Sequence, residues 1–66
     1  MAFANMNKQD LENTYLGKRI HVIIEDRYHP IDAYGKVEKV DDAGQLHGTW
    51  GGLAAIPGVD YISLAD

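Results

Sequence analysis

Residues 35–50 constrain the fold of this chain more than any other segment. Their sequence, GKVEKVDDAGQLHGTW, predicts two β-strands joined by an acidic turn, with Trp50 closing the second strand. Asp41, Asp42 and Gly44 favour the turn, because Asp side chains accept hydrogen bonds from nearby backbone amides and Gly tolerates a positive φ. The pattern is typical of a small barrel or a strongly bent sheet, and it identifies no reaction.

The rest of the chain adds further strands to this pair. Ile20, Val22 and Ile24 face one way and alternate with Arg19, His21 and Ile23, as in a half-buried strand rich in β-branched residues. The spacing of Val37 and Val40 breaks the alternation and indicates a bulge or a strand end near Lys39. The predicted strands are residues 19–24, 34–40, 45–50, 53–56 and 61–64. The predicted core consists of apolar residues with inward parity: Ile20, Val22, Val37, Val40, Leu46, Trp50, Ile56 and Ile62.

Residues 1–14 precede the predicted barrel domain, residues 15–66, and we expect them to form a mobile tail with a short helix. Asn7 is an acceptable N-cap, and Leu11 with Tyr15 falls on one helical face. Isolated helices of this length are marginal in water. We therefore expect the helix to dock on the barrel.

Charge and composition exclude several functional classes. Ten acidic and six basic residues give a net charge of −4, and the bases are scattered. Phosphate binding requires clustered Lys and Arg, so direct nucleic-acid binding is disfavoured. The chain has no cysteine, and it shows neither the pattern of a signal peptide nor an apolar run of membrane-spanning length. We expect a cytoplasmic protein without membrane contact and leave its oligomeric state open.

The polar residues favour a non-enzymatic protein without cofactor or metal. Two adjacent carboxylates at Asp41 and Asp42 do not fill a calcium shell, and a structural Asx bond at the turn accounts for Asp41. The three histidines, His21, His29 and His47, lack metal-binding spacing. No nucleophile has an evident base and orienting carboxylate beside it.

The segment EDRYHPIDAY, residues 25–34, is predicted to be a loop and is long for so small a domain. Amphipathic aromatic side chains and Arg are common anchors of protein interfaces, and Pro30 pre-orders part of the segment. The partner-binding candidates are Arg27, Tyr28, His29 and Tyr34. The alternative is a loop that folds back and caps one end of the barrel.

Five short motifs carry a family resemblance: YLGKRI from residue 15, GKV from residue 35, VDDAG from residue 40, Trp50, and IPGVD from residue 56. Together they resemble an uncharacterised family of small bacterial SH3-like-barrel proteins that is common in phages and mobile elements of Gram-positive bacteria. The resemblance covers residues 15–64 and implies a five-stranded SH3-like barrel with a short N-terminal helical turn. The chain departs from the family pattern at Gly51 and Gly52, where an acidic residue is expected before the turn glycine.

Two functional hypotheses follow. The first is a protein-interaction or regulatory module that docks an unknown protein partner through residues 25–34. The alternative is an inhibitor, encoded by a mobile element, whose acidic surface blocks the nucleic-acid-binding cleft of a host protein. The acidic residues of that surface are Glu25, Asp26, Asp41 and Asp42, with Asp32 and Glu38 beside them. A basic target would be steered to them electrostatically.

Overall fold

A computed structural model describes residues 7–65, and within that range the chain forms one helix and four strands. The elements are α1 (Lys8–Tyr15), β1 (Arg19–Ile24), β2 (Ile31–Val40), β3 (Leu46–Gly48) and β4 (Tyr61–Leu64). All strand pairs are antiparallel, in the order β3-β2-β1-β4. The fold is therefore mostly β, with one antiparallel sheet and one short helix.

Helix α1 begins at a capping box. The Asn7 side chain accepts a hydrogen bond from the Asp10 backbone amide at 2.9 Å, and Asp10 Oδ2 accepts one from the Asn7 amide at 3.4 Å. Leu11 and Tyr15 are buried against the sheet, so the short helix docks as expected. Residues 1–6 of the predicted mobile tail lie outside the described residues.

The strand bounds agree with the sequence predictions at two places and differ at two others. Strands β1 and β4 have the predicted limits. Strand β2 begins at Ile31 instead of residue 34, because Ile31 pairs with Ile24 across the β1–β2 hairpin. Strand β3 begins at Leu46 and ends at Gly48, inside the predicted range 45–50. Of the bulge or strand end predicted near Lys39, the structure has the bulge, since β2 continues to Val40 and its register with β3 shifts between Val37 and Lys39.

The five-stranded barrel is not confirmed, because the four-stranded sheet is open. Of residues 53–56, only Ala55 pairs with β3, through two hydrogen bonds with Leu46 of 2.8 and 2.9 Å. The next residue, Ile56, has its backbone groups in a local turn. Its amide donates to Asp60 Oδ2 at 2.8 Å, and its carbonyl accepts from the Asp60 amide. The Ile56 backbone is therefore not free to extend the pairing.

The core lies between one face of the sheet and α1. Its buried residues are Leu11, Tyr15, Ile20, Val22, Ile24, Val37, Val40, Leu46 and Ala55. Three residues of the predicted core, Trp50, Ile56 and Ile62, are only half-buried. Trp50 follows β3 in a turn, and its indole Nε1 donates to the Leu53 carbonyl at 2.8 Å. No described helix is long and apolar enough to cross a membrane.

Candidate functional site

The outer face of the sheet carries a row of rings across three strands. Alternation in β1 buries Ile20, Val22 and Ile24, so that Arg19, His21 and Ile23 lie on the opposite face. The β1–β2 register pairs His21 with Tyr34, and the β1–β4 register pairs Ile23 with Tyr61. Tyr34, His21 and Tyr61 therefore share this face, and we call them the aromatic row.

The rings of the aromatic row are in contact. The centroids of His21 and Tyr34 lie 4.5 Å apart with an angle of 14° between the ring planes, which is a stacked arrangement. The His21 and Tyr61 rings meet edge-on at 5.6 Å and 75°. Tyr34 remains 56% exposed and Tyr61 53% exposed. The row thus presents much of its aromatic surface to solvent while its members hold one another in place.

Two polar side chains fix the row further. The Arg19 guanidinium carbon lies 5.1 Å from the centre of the Tyr34 ring, within the range of a cation–π interaction. His21 Nε2 forms a 2.7 Å hydrogen bond with Asp32 Oδ1. The orientation of the His21 ring is therefore set by a carboxylate as well as by its aromatic neighbours.

The structure separates the four residues predicted to bind a partner. Arg27, Tyr28 and His29 lie in the six-residue connection 25–30, whereas Tyr34 belongs to β2. Asp26 Oδ2 accepts hydrogen bonds from the amides of Tyr28 and His29 at 3.0 and 2.9 Å, which closes a local turn. Residues 27–30 are all exposed, so they do not cover the core as a cap.

The residues of the predicted acidic surface are also dispersed, and one of them already forms an ion pair. Glu25 and Asp26 precede β2, whereas Asp41 and Asp42 follow its ten-residue length. Asp42 Oδ1 forms an exposed ion pair with Lys8 Nζ at 3.0 Å. These four residues of the predicted acidic surface therefore lie beyond the two ends of β2, and the exposed Asp32 and Glu38 lie on the strand between them.

Asp41 has the structural role predicted for the turn. Its Oδ1 accepts hydrogen bonds from the amides of Ala43 and Gln45, each at 2.9 Å, and its Oδ2 pairs with His47 Nε2 at 2.7 Å. The hydrogen bond with His47, followed by that with Gln45, holds the pKa of Asp41 below its ordinary value. Gly44 completes the turn with φ of 80°.

Two open clefts flank the end of β1. The first has a volume of about 420 Å³ and is lined by Ile23, Glu25, Val59, Asp60 and Tyr61. The second has a volume of about 360 Å³ and is lined by Ile24, Glu25, Asp26, Gln45, Leu53, Ala54, Ile56 and Asp60. Glu25 and Asp60 belong to both clefts, and Tyr61 joins the first cleft to the aromatic row.

Sequence reasoning missed His21 and Tyr61 as members of a shared surface. The alternation of β1 places His21 on the outer face, but Tyr61 joins it only through the β1–β4 register, which the sequence does not specify. Among residues 7–65, no three His, Asp or Glu side chains are grouped to hold a metal ion.

Comparison of the chain with protein-family models, curated proteins and solved structures gives no match. The resemblance to small SH3-like-barrel proteins therefore stays a prediction.

Proposed function

We propose that this protein is a non-enzymatic interaction module and that it docks a protein partner through the aromatic row. The support is a single observation: two tyrosines that are more than half exposed are held in fixed positions by stacking, a cation–π contact and a His–Asp hydrogen bond. Aromatic side chains that are already ordered lose little conformational entropy on binding, and they are frequent interface hot spots.

The charge of the molecule favours a protein over a nucleic acid as the partner. Stacked aromatic residues on a sheet also bind single-stranded nucleic acids, but such surfaces combine the rings with a positively charged groove. Here the net charge is −4, and Asp32 lies in contact with the central ring of the row. An anionic ligand would meet that carboxylate.

The inhibitor hypothesis receives less support from the geometry. Asp26 and Asp41 use carboxylate oxygens to close local turns, and Asp42 is paired with Lys8. A mimic of nucleic acid requires a continuous array of free charges, whereas these lie at the two ends of β2. Steep salt dependence of partner binding would favour the inhibitor hypothesis.

We also propose that the sheet corresponds to an SH3-like barrel in which residues 53–56 occupy the position of the remaining strand and residues 57–60 form the turn into β4. The bridge between Ala55 and Leu46 extends the order beyond β3, and the bridge between Pro57 and Asp60 directly precedes β4. Residues 53–60 therefore connect the two edge strands. Slow hydrogen exchange at the Ala55 amide, comparable to that of the central strands, would support this assignment.

The proposal can be tested by affinity capture from a lysate of the source organism. The wild type would be compared with the double variant Tyr34→Ala/Tyr61→Ala and with Tyr28→Ala, which removes an exposed tyrosine outside the row. We expect one protein to be retained by the wild type and by Tyr28→Ala but lost with the double variant. Retention by the folded double variant would refute the aromatic row as the docking surface.

A further inference from the structure

The two clefts beside β1 combine apolar walls with carboxylates. In the first cleft, Ile23, Val59 and Tyr61 supply the apolar surface, and Val59 is 76% exposed. Glu25 and Asp60 supply the negative charge and extend it into the second cleft. No Lys or Arg of residues 7–65 lines either cleft.

The carboxylates of these clefts retain unused hydrogen-bonding capacity. Glu25 is exposed and forms no hydrogen bond or ion pair with the residues that the structure describes. Asp60 Oδ2 accepts from the Ile56 amide, which leaves its Oδ1 without a described partner. Among the residues that line the first cleft, Glu25 and Asp60 are therefore the carboxylates that can accept a hydrogen bond from an external donor.

We propose that the first cleft binds an arginine side chain from an extended segment of the partner protein. This inference rests on the proposed function and names the chemistry of that partner. The aliphatic stem of an arginine packs along apolar surface while its charged end stays polar, which matches the walls formed by Ile23, Val59 and Tyr61. The planar guanidinium has five donors, enough to bond both Glu25 and Asp60.

The dimensions and the neighbourhood of the cleft agree with this occupant. Its volume of about 420 Å³ lies within the range of small-ligand sites, roughly 300–1,000 Å³. Because Tyr61 belongs both to the cleft and to the aromatic row, an extended segment can reach the two together. The arginine in the cleft then fixes the position of that segment on the row.

The test uses two synthetic peptides, acetyl-Ala-Leu-Arg-Leu-Ala-amide and the same peptide with citrulline in place of arginine. Citrulline retains the shape of arginine but has no charge. Each is titrated into the ¹⁵N-labelled full chain and followed by amide chemical shifts. We expect saturable shifts at residues 23–25 and 59–61 with the arginine peptide, and affinity lower by on the order of tenfold for citrulline. Equal affinity of the two peptides, or shifts elsewhere, would overturn the proposal.

Two variants distinguish binding in the first cleft from general electrostatic attraction of the peptide to an acidic protein. Glu25→Gln should weaken binding of the arginine peptide roughly threefold, because one exposed charge contact is lost. Asp42→Asn, which removes an equal charge at the other end of β2, should leave the affinity unchanged. An equal loss with both variants would show nonspecific attraction and refute the site.

Further outcomes distinguish a partner protein from a second copy of this chain as the occupant of the cleft. They also distinguish failure of the arginine site from failure of the proposed interaction function. If sedimentation shows self-association that Glu25→Gln abolishes, the occupant is a second copy of this chain and the partner proposal fails. If a captured partner is lost with Tyr34→Ala/Tyr61→Ala but its measured dissociation constant is unchanged by Glu25→Gln, the proposed function stands and the arginine site is wrong. If the peptide binds the cleft but no protein is captured, the interaction function fails while the site remains.

Discussion

The six-membered ring of Trp50 lies against Gly48, in the space that a β-carbon at that position would occupy. A β-carbon built on Gly48 would lie 2.8 Å from Trp50 Cε3, and it would also overlap Trp50 Cζ3 and the Lys36 carbonyl oxygen. The space above Gly48 is therefore filled by the indole of Trp50, which lies only two residues later in the chain.

Gly48→Ala should therefore destabilise the fold, by about 2–3 kcal/mol, because either the ring or the backbone of β2 must move. Urea denaturation followed by circular dichroism measures the loss. The double variant Gly48→Ala/Trp50→Ala gives the control, since removing the ring relieves part of the clash. If the stability lost in the double variant equals the sum of the losses in Gly48→Ala and Trp50→Ala, the Trp50 ring does not clash with a β-carbon at position 48.

Burial predicts different costs for two isoleucines on paired strands. Ile20 is fully buried, whereas Ile62, also predicted to be core, is half-buried on the edge strand β4. Truncation of Ile20 to Ala should cost about 3–4 kcal/mol, and truncation of Ile62 about half as much, because less apolar surface returns to water. Chemical denaturation of both variants measures the difference. Equal losses would contradict the placement of β4 at the edge.

The core strands could be predicted from sequence because they depend on local alternation. Ile20, Val22 and Ile24 have a period of two, and that pattern by itself gave the limits of β1 and its buried face. The short helix was equally local, since Asn7 supplies the cap and Leu11 the apolar contact. Such features require no knowledge of which strands are neighbours.

The errors arose where long-range pairing or a side chain decided the structure. Ile31 joins β2 because it pairs with Ile24, so residues 31–34 are strand and not loop. Residues 53–56 do not form a full strand, because the carboxylate of Asp60 binds the Ile56 amide. The aromatic row likewise requires two registers that bring His21 beside Tyr34 and near Tyr61. None of these pairings is encoded by spacing along the chain.

The turn between β2 and β3 should make stability depend on pH in the acidic range. The pKa of Asp41 is lowered from 3.8, mainly by hydrogen bonds with His47 and the Gln45 amide. A carboxyl group whose pKa is lower in the folded state stabilises the fold above its unfolded pKa, and that contribution is lost as the pH falls through the folded value. Stability should therefore decrease below about pH 4.

Asp41→Asn isolates this contribution. Urea midpoints of the wild type and the variant should differ most at neutral pH and converge in acid, because protonation removes the same charge from Asp41. Glu38→Gln is the matched control, since Glu38 is an exposed acidic residue on the adjacent strand. A gap between Asp41→Asn and the wild type that stays constant with pH would contradict the assigned role of the carboxylate.

Stacking between His21 and Tyr34 should be measurable as a coupling energy. Their rings lie 4.5 Å apart and nearly parallel on adjacent strands, so a double-mutant cycle of His21→Ala and Tyr34→Ala should give a coupling of about 0.5–1 kcal/mol. The control is a cycle of His21→Ala and Tyr28→Ala, which should give a coupling near zero because Tyr28 makes no ring contact in the described part of the chain. If the His21 and Tyr34 losses add without coupling, the aromatic row is not held in place by stacking. The tyrosines would then have to be ordered by the partner, at an entropic cost that removes their main advantage as anchors.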